Sequence, residues 1–167
     1  MSKLNEYRRI IGYSYLLYII LIIPISLIHE LGHTSVCSAN GYHFDIWLDL
    51  RGGHSLCYGI SGNNLIMGAL GGVFGLLASS GILTFWYYFS KRVVPIASVA
   101  LALMLDQGLK IILEGFLPTL YSAGRFDLLI TILQIISVGV FAIYLTKKLR
   151  LQGYNRCYLP REPRLGT

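Results

Sequence analysis

The stretch IIGYSYLLYIILIIPISLIHELGHTSVCSANG, residues 10–41, decides the fold. Positions 10–28 carry no charged residue, and about 20 apolar residues are what a helix needs to cross the hydrocarbon core of a bilayer. The run passes without a break into His29-Glu30-Leu31-Gly32-His33. Ala39-Asn40-Gly41 then supplies a helix stop. An apolar run of this length, with no small-residue cleavage site after it, reads as a retained span rather than a secretory leader.

Working outward, three more apolar runs occupy residues 65–89, 93–113 and 128–145. The whole chain of 167 residues is 54% hydrophobic and only 13% charged, with a mean hydropathy of +0.60. A soluble domain of this size needs more charge to cover its surface. The expected architecture is therefore an all-α polytopic membrane protein, a single domain over residues 1–167. Its four transmembrane helices fall at about 10–36, 64–89, 93–113 and 125–146, with a basic tail at 147–167. No internal repeat or low-complexity segment interrupts it.

The net charge of +6 is distributed for a membrane, not for nucleic acid. Lys3, Arg8 and Arg9 precede the first span, Lys91 and Arg92 separate the second from the third, and Lys147, Lys148, Arg150, Arg156, Arg161 and Arg164 follow the fourth. With four spans these segments share one side, and the positive-inside bias makes that side cytoplasmic. Both termini are accordingly expected inside, with the tail, which includes Tyr154 and Tyr158, against anionic lipid.

The first external loop alternates apolar and polar residues over 42–50, followed by Arg51-Gly52-Gly53, which predicts a short β-hairpin running to about Ile60. Cys37 and Cys57 both fall there; they can pair, though separate thiols are the plainer expectation. The second helix brings Gly68, Gly71, Gly72 and Gly75 together, a smooth face for close packing within the chain or between chains. The third carries Asp106 and Lys110 on one face.

His29-Glu30-Leu31-Gly32-His33 is an HExxH pattern. On a helix, residues i and i+4 share a face, so both imidazoles can ligate one zinc ion while Glu30 takes a proton from the activated water. In a span, each ionisable residue costs about 2.5–3.5 kcal/mol, which a bound cation offsets. Catalytic zinc usually has three protein ligands. Candidates for the third are Asp127, Asp106, His43, His54, Asp45 and Asp49. Asp127, at the outer start of the fourth helix, is the first choice and Asp106 the second; dipole capping is the alternative role for Asp127 and an ion pair with Lys110 that for Asp106.

These residues resemble the site-2 protease family of intramembrane zinc metalloproteases (peptidase family M50), over roughly residues 15–140. Ile28-His29-Glu30-Leu31-Gly32-His33 looks like the family's HELGH segment, and residues 67–73 resemble its small-residue second core helix. Phe116-Leu117-Pro118 with Arg125-Phe126-Asp127-Leu128 is similar to its asparagine–proline and LDG region. The resemblance implies a zinc-dependent hydrolase that cleaves a transmembrane protein or peptide substrate, with Glu30 catalytic and His29, His33 and Asp127 on the metal. Two other classes stay open: a catalytically silent membrane binding or regulatory protein, and a small transporter using Asp106, Lys110 and His29.

Overall fold

Helix α1 (Lys3–Ala39) is continuous through Pro24 and the HExxH residues. At 37 residues it is about 55 Å long, more than a bilayer core requires. It stops at Gly41, whose positive φ of 74° suits glycine. Gly41 N–H donates to the Ser38 carbonyl and Tyr42 N–H to the Cys37 carbonyl, the paired bonds of a Schellman cap. The computed structural model describes residues 3–49, 52–59, 65–89, 93–122 and 124–151, without the side chains of residues 3, 122, 127 and 151. Lys91, Arg92 and the tail beyond 151 lie outside the described residues.

The chain continues through β1 (Phe44–Asp49), β2 (Gly52–Cys57), α2 (Leu65–Phe89), α3 (Val94–Phe116), α4 (Pro118–Ser122) and α5 (Asp127–Leu151). The two strands pair antiparallel from Phe44↔Cys57 to Asp49↔Gly52, as the alternating pattern predicts. That register returns Cys57 to the last turns of α1, where it forms a disulfide with Cys37 at a Cα–Cα distance of 5.8 Å. The plainer expectation of separate thiols fails because strand pairing supplies the proximity that spacing alone cannot. Short α4 lies between the third and fourth expected spans and begins at Pro118.

Helices α1, α2, α3 and α5 are each long and apolar enough to cross a membrane. The chain is a multi-pass integral membrane protein. Its outward faces are apolar: Leu16, Ile19, Leu77, Phe85, Ile112 and Val140 are all more than half exposed. Such a belt is intolerable in water and natural against lipid.

Packing centres on α3, which contacts α1, α2, α4 and α5. Its Val99, Ala102 and Leu103 meet Tyr18, Ile25 and Val138 in the main apolar core. Hydroxyls within the bundle are satisfied locally: Ser79 donates to the Gly75 carbonyl and Thr146 to that of Ala142. Between helices, Ser14 and Ser98 share a hydrogen bond of 3.0 Å, Tyr15 donates to the Ile135 carbonyl at 2.7 Å and Tyr18 to Gln134 Oε1 at 2.8 Å. Near its start, α1 offers Glu6 to Arg150 near the end of α5, so those two helix ends meet. Consecutive long helices run antiparallel, which gathers the end of α1, the start of α2 and the end of α3 at the opposite pole, together with the hairpin.

Candidate metal centre

At that pole, α1 presents His29 and His33 one turn apart. His33 Nδ1 lies 2.6 Å from the Met67 carbonyl in the first turn of α2, and a carbonyl only accepts, so Nδ1 carries the proton. His29 Nδ1 lies 2.8 Å from Gln107 Oε1 on α3 and donates in the same way. In the neutral rings both Nε2 atoms are therefore bare, and they face each other at 3.1 Å.

The carboxylate brought to these nitrogens belongs to Glu114, in the last turn of α3. Glu114 Oε2 lies 3.2 Å from both His29 Nε2 and His33 Nε2. Yet this oxygen is buried with no hydrogen-bond donor. With both rings neutral, three lone-pair atoms point at one another around a common centre, which is repulsive unless a proton or a metal cation lies between them. The mutual spacing fits one: a tetrahedral zinc shell with bonds of about 2.0–2.1 Å holds its donors about 3.3 Å apart. Position adds to the charge deficit. A carboxylate near a helix C-terminus opposes the helix dipole, and burial removes water as a remedy.

Glu30 completes the cluster. One donor atom from each of His29, Glu30 and His33 lies within 4.8 Å of the others. His29, Glu30 and Glu114 are 4%, 7% and 8% exposed, which places the chemistry inside the bundle rather than on its surface. Ser55 Oγ on β2 donates to Glu30 Oε2 at 2.6 Å, tying the hairpin to the helix. Gly53 permits the approach, since a Cβ there would lie 2.8 Å from Glu30 Cγ and 3.2 Å from the Ser26 carbonyl oxygen.

Glycines open the space on the α2 side. A Cβ on Gly71 would lie 2.8 Å from His29 Nε2 and also collide with the His33 ring. Gly32 lets α1 settle on the Leu70–Gly71 backbone, and a Cβ on Gly72 would lie 2.9 Å from the Gln107 carbonyl oxygen of α3. The glycine face therefore serves packing within the chain.

Asp106 and the hairpin candidates are engaged elsewhere. Asp106 Oδ2 accepts from Gln107 Nε2 at 2.9 Å and pairs with Lys110 at 3.4 Å. On the hairpin, His54 pairs with Asp49 at 3.1 Å and stacks on Trp47. Tyr58 donates to Asp45 at 2.8 Å, a hydrogen bond that raises the phenol pKa above its usual value. His43 is exposed. Asp127 opens α5 as expected, but its side chain lies outside the described residues. No protein-family model, curated protein or solved structure matches the chain.

Proposed function

We propose that the chain is a zinc-dependent intramembrane protease whose metal is held by His29, His33 and Glu114, with Glu30 as general base. The observation that carries this reading is the convergence of two bare imidazole nitrogens and one undonated carboxylate oxygen at 3.1–3.2 Å. Two histidines and a glutamate, with a second glutamate beside them, are a donor set of hydrolytic zinc enzymes. When bound, zinc supplies an acidified water and polarises a carbonyl. Glu30 would serve as the base that accepts a proton from a water at the site and returns it to a leaving amine. Ser55 holds one of its carboxylate oxygens and so fixes the direction of the other.

A membrane-spanning protein or peptide is the substrate this setting favours, because the donors lie in helices that face lipid on their outer sides. Among the described residues strand β2 pairs only with β1, and it touches Glu30, so an extended substrate backbone can add beside it. Charge bias supports a cytoplasmic position for both termini and a site toward the outer face. A Cys37–Cys57 disulfide at the site's pole agrees, since disulfides persist in oxidising compartments.

Zinc content of detergent-purified protein tests the metal, comparing wild type with His33→Ala, Glu114→Ala, Asp106→Ala and Asp127→Ala. The expected result is about one zinc per chain, lost with His33 and Glu114 and kept in both aspartate variants. A folded wild type that takes up no zinc after reconstitution sinks the reading. Proteolysis is tested by comparing membrane proteomes of cells expressing wild type or Glu30→Gln. Fragments of membrane-spanning proteins should appear only with wild type, and Glu30→Gln should keep its zinc. Identical fragment patterns in the two would return the chain to the binding or transport classes.

A further inference from the structure

One polar connection in α3 is not explained by ligation: the run from half-buried Lys110 through buried Asp106 and Gln107 to His29. Gln107 is fully buried, at 1% exposure, with both ends of its carboxamide engaged. Its Nε2 donates to Asp106 Oδ2 at 2.9 Å, and its Oε1 lies 2.8 Å from His29 Nδ1. A carboxamide has one accepting end and one donating end, so fixing either fixes the other. A carboxylate only accepts. Asp106 therefore dictates that the NH2 group faces it, leaving oxygen as the atom shown to His29. Oxygen in turn requires the proton on His29 Nδ1, and Nε2 is left bare toward His33 and Glu114.

Packing holds the amide in place, and Asp106 selects which of its ends faces His29. Gly75 on α2 lies flat against it, since a Cβ there would come to 2.5 Å from Gln107 Cδ and 2.9 Å from Cγ. Lys110, one turn away, sets its ammonium 3.4 Å from Asp106 Oδ2, an opposite charge beside the oxygen that Gln107 faces. His33 obtains the same tautomer from a different source, the Met67 backbone carbonyl, which cannot reverse. Of the two histidines, only His29 depends on side chains for its tautomer.

We propose that Gln107 is a positioning residue, oriented by the Asp106–Lys110 pair, that locks His29 in the Nδ1–H tautomer and so makes Nε2 available to the metal. The inference rests on the metal reading and assigns Asp106, a candidate ligand by sequence, to orienting the group behind a ligand. Partners of this kind commonly change metal affinity by about 10–100-fold.

The test has two readouts on full-length protein in detergent. Nitrogen-15 histidine NMR of the metal-free protein reports each tautomer, and competition with a zinc chelator gives affinity. Wild type should show the Nδ1–H form at both His29 and His33. In Gln107→Leu, which keeps the bulk and removes the acceptor, His29 should become a tautomer mixture. His33 should stay unchanged, and zinc affinity should fall by about 10–100-fold. Asp106→Asn leaves Gln107 in place without dictating which end faces His29, so it should give a mixed His29 tautomer and a smaller loss of affinity. That variant also carries the test if Gln107→Leu does not fold. An unchanged His29 tautomer, or wild-type zinc affinity in the variants, overturns this inference alone. A wild type that binds no zinc overturns the metal reading as well.

Discussion

At the scale of single residues, Gly71 makes the sharpest claim because it contributes no side chain at all. A Cβ at that position falls on the ligating faces of both histidine rings. Gly71→Ala is expected to abolish zinc binding, and overpacking of this kind costs about 1–3 kcal/mol of stability. Gly12→Ala is the control, since a Cβ there meets nothing within 4 Å. Zinc stoichiometry and thermal unfolding of the two variants check both halves; full zinc in Gly71→Ala would show that the metal does not lie against α2. His29, Glu30 and His33 were legible from sequence because their spacing is itself the geometry of one helix turn. Glu114 was not, since no local pattern links it to residues 85 positions earlier. Charge accounting along α3 was the available signal. Asp106, Lys110 and Glu114 follow at four-residue intervals, two acids to one base in an apolar span, so one carboxylate had to find its cation elsewhere.

Among the elements, the hairpin does more than cap the bundle. Its alternating pattern and register were readable, but not its contact with α1, which depends on the disulfide, on Gly53 and on the Ser55–Glu30 hydrogen bond. The bond joins cysteines 20 residues apart, and closing a loop of that size restrains the unfolded chain by about 3 kcal/mol in the loop-entropy view. Because Cys57 ends the strand that holds Ser55, breaking the bond should also loosen β2 over Glu30. Cys57→Ser is therefore expected to lower the unfolding temperature and to raise amide hydrogen exchange at 52–57 more than in α3. Exchange that rises equally in both elements would mean that the disulfide supports the bundle generally rather than this strand. The glycines of α2 were legible as a packing face, whereas the partners of that face, the histidine rings, Gln107 and the end of α3, emerge only from the fold.

For the whole molecule, two unrelated features argue for the same orientation. Basic residues flank the helix ends away from the hairpin, which the positive-inside bias assigns to the cytoplasm. A disulfide stands at the hairpin end, which redox chemistry assigns to the outer side. Four spans reconcile them, because an even number returns the chain to the side it left, and the contact of Glu6 with Arg150 brings the first and last helices together there. The third cysteine provides the probe. Cys37 and Cys57 are joined to each other, so Cys157 in the basic tail is the thiol left to react. In intact cells a membrane-impermeant maleimide should leave Cys157 unlabelled, and it should react once the membrane is permeabilised. A cysteine introduced at Trp47, on the exposed face of β1, should react before permeabilisation. The opposite result would place the disulfide in a reducing compartment and the basic tail outside. The metal centre would then face the cytoplasm, and its substrates would have to be sought on that side.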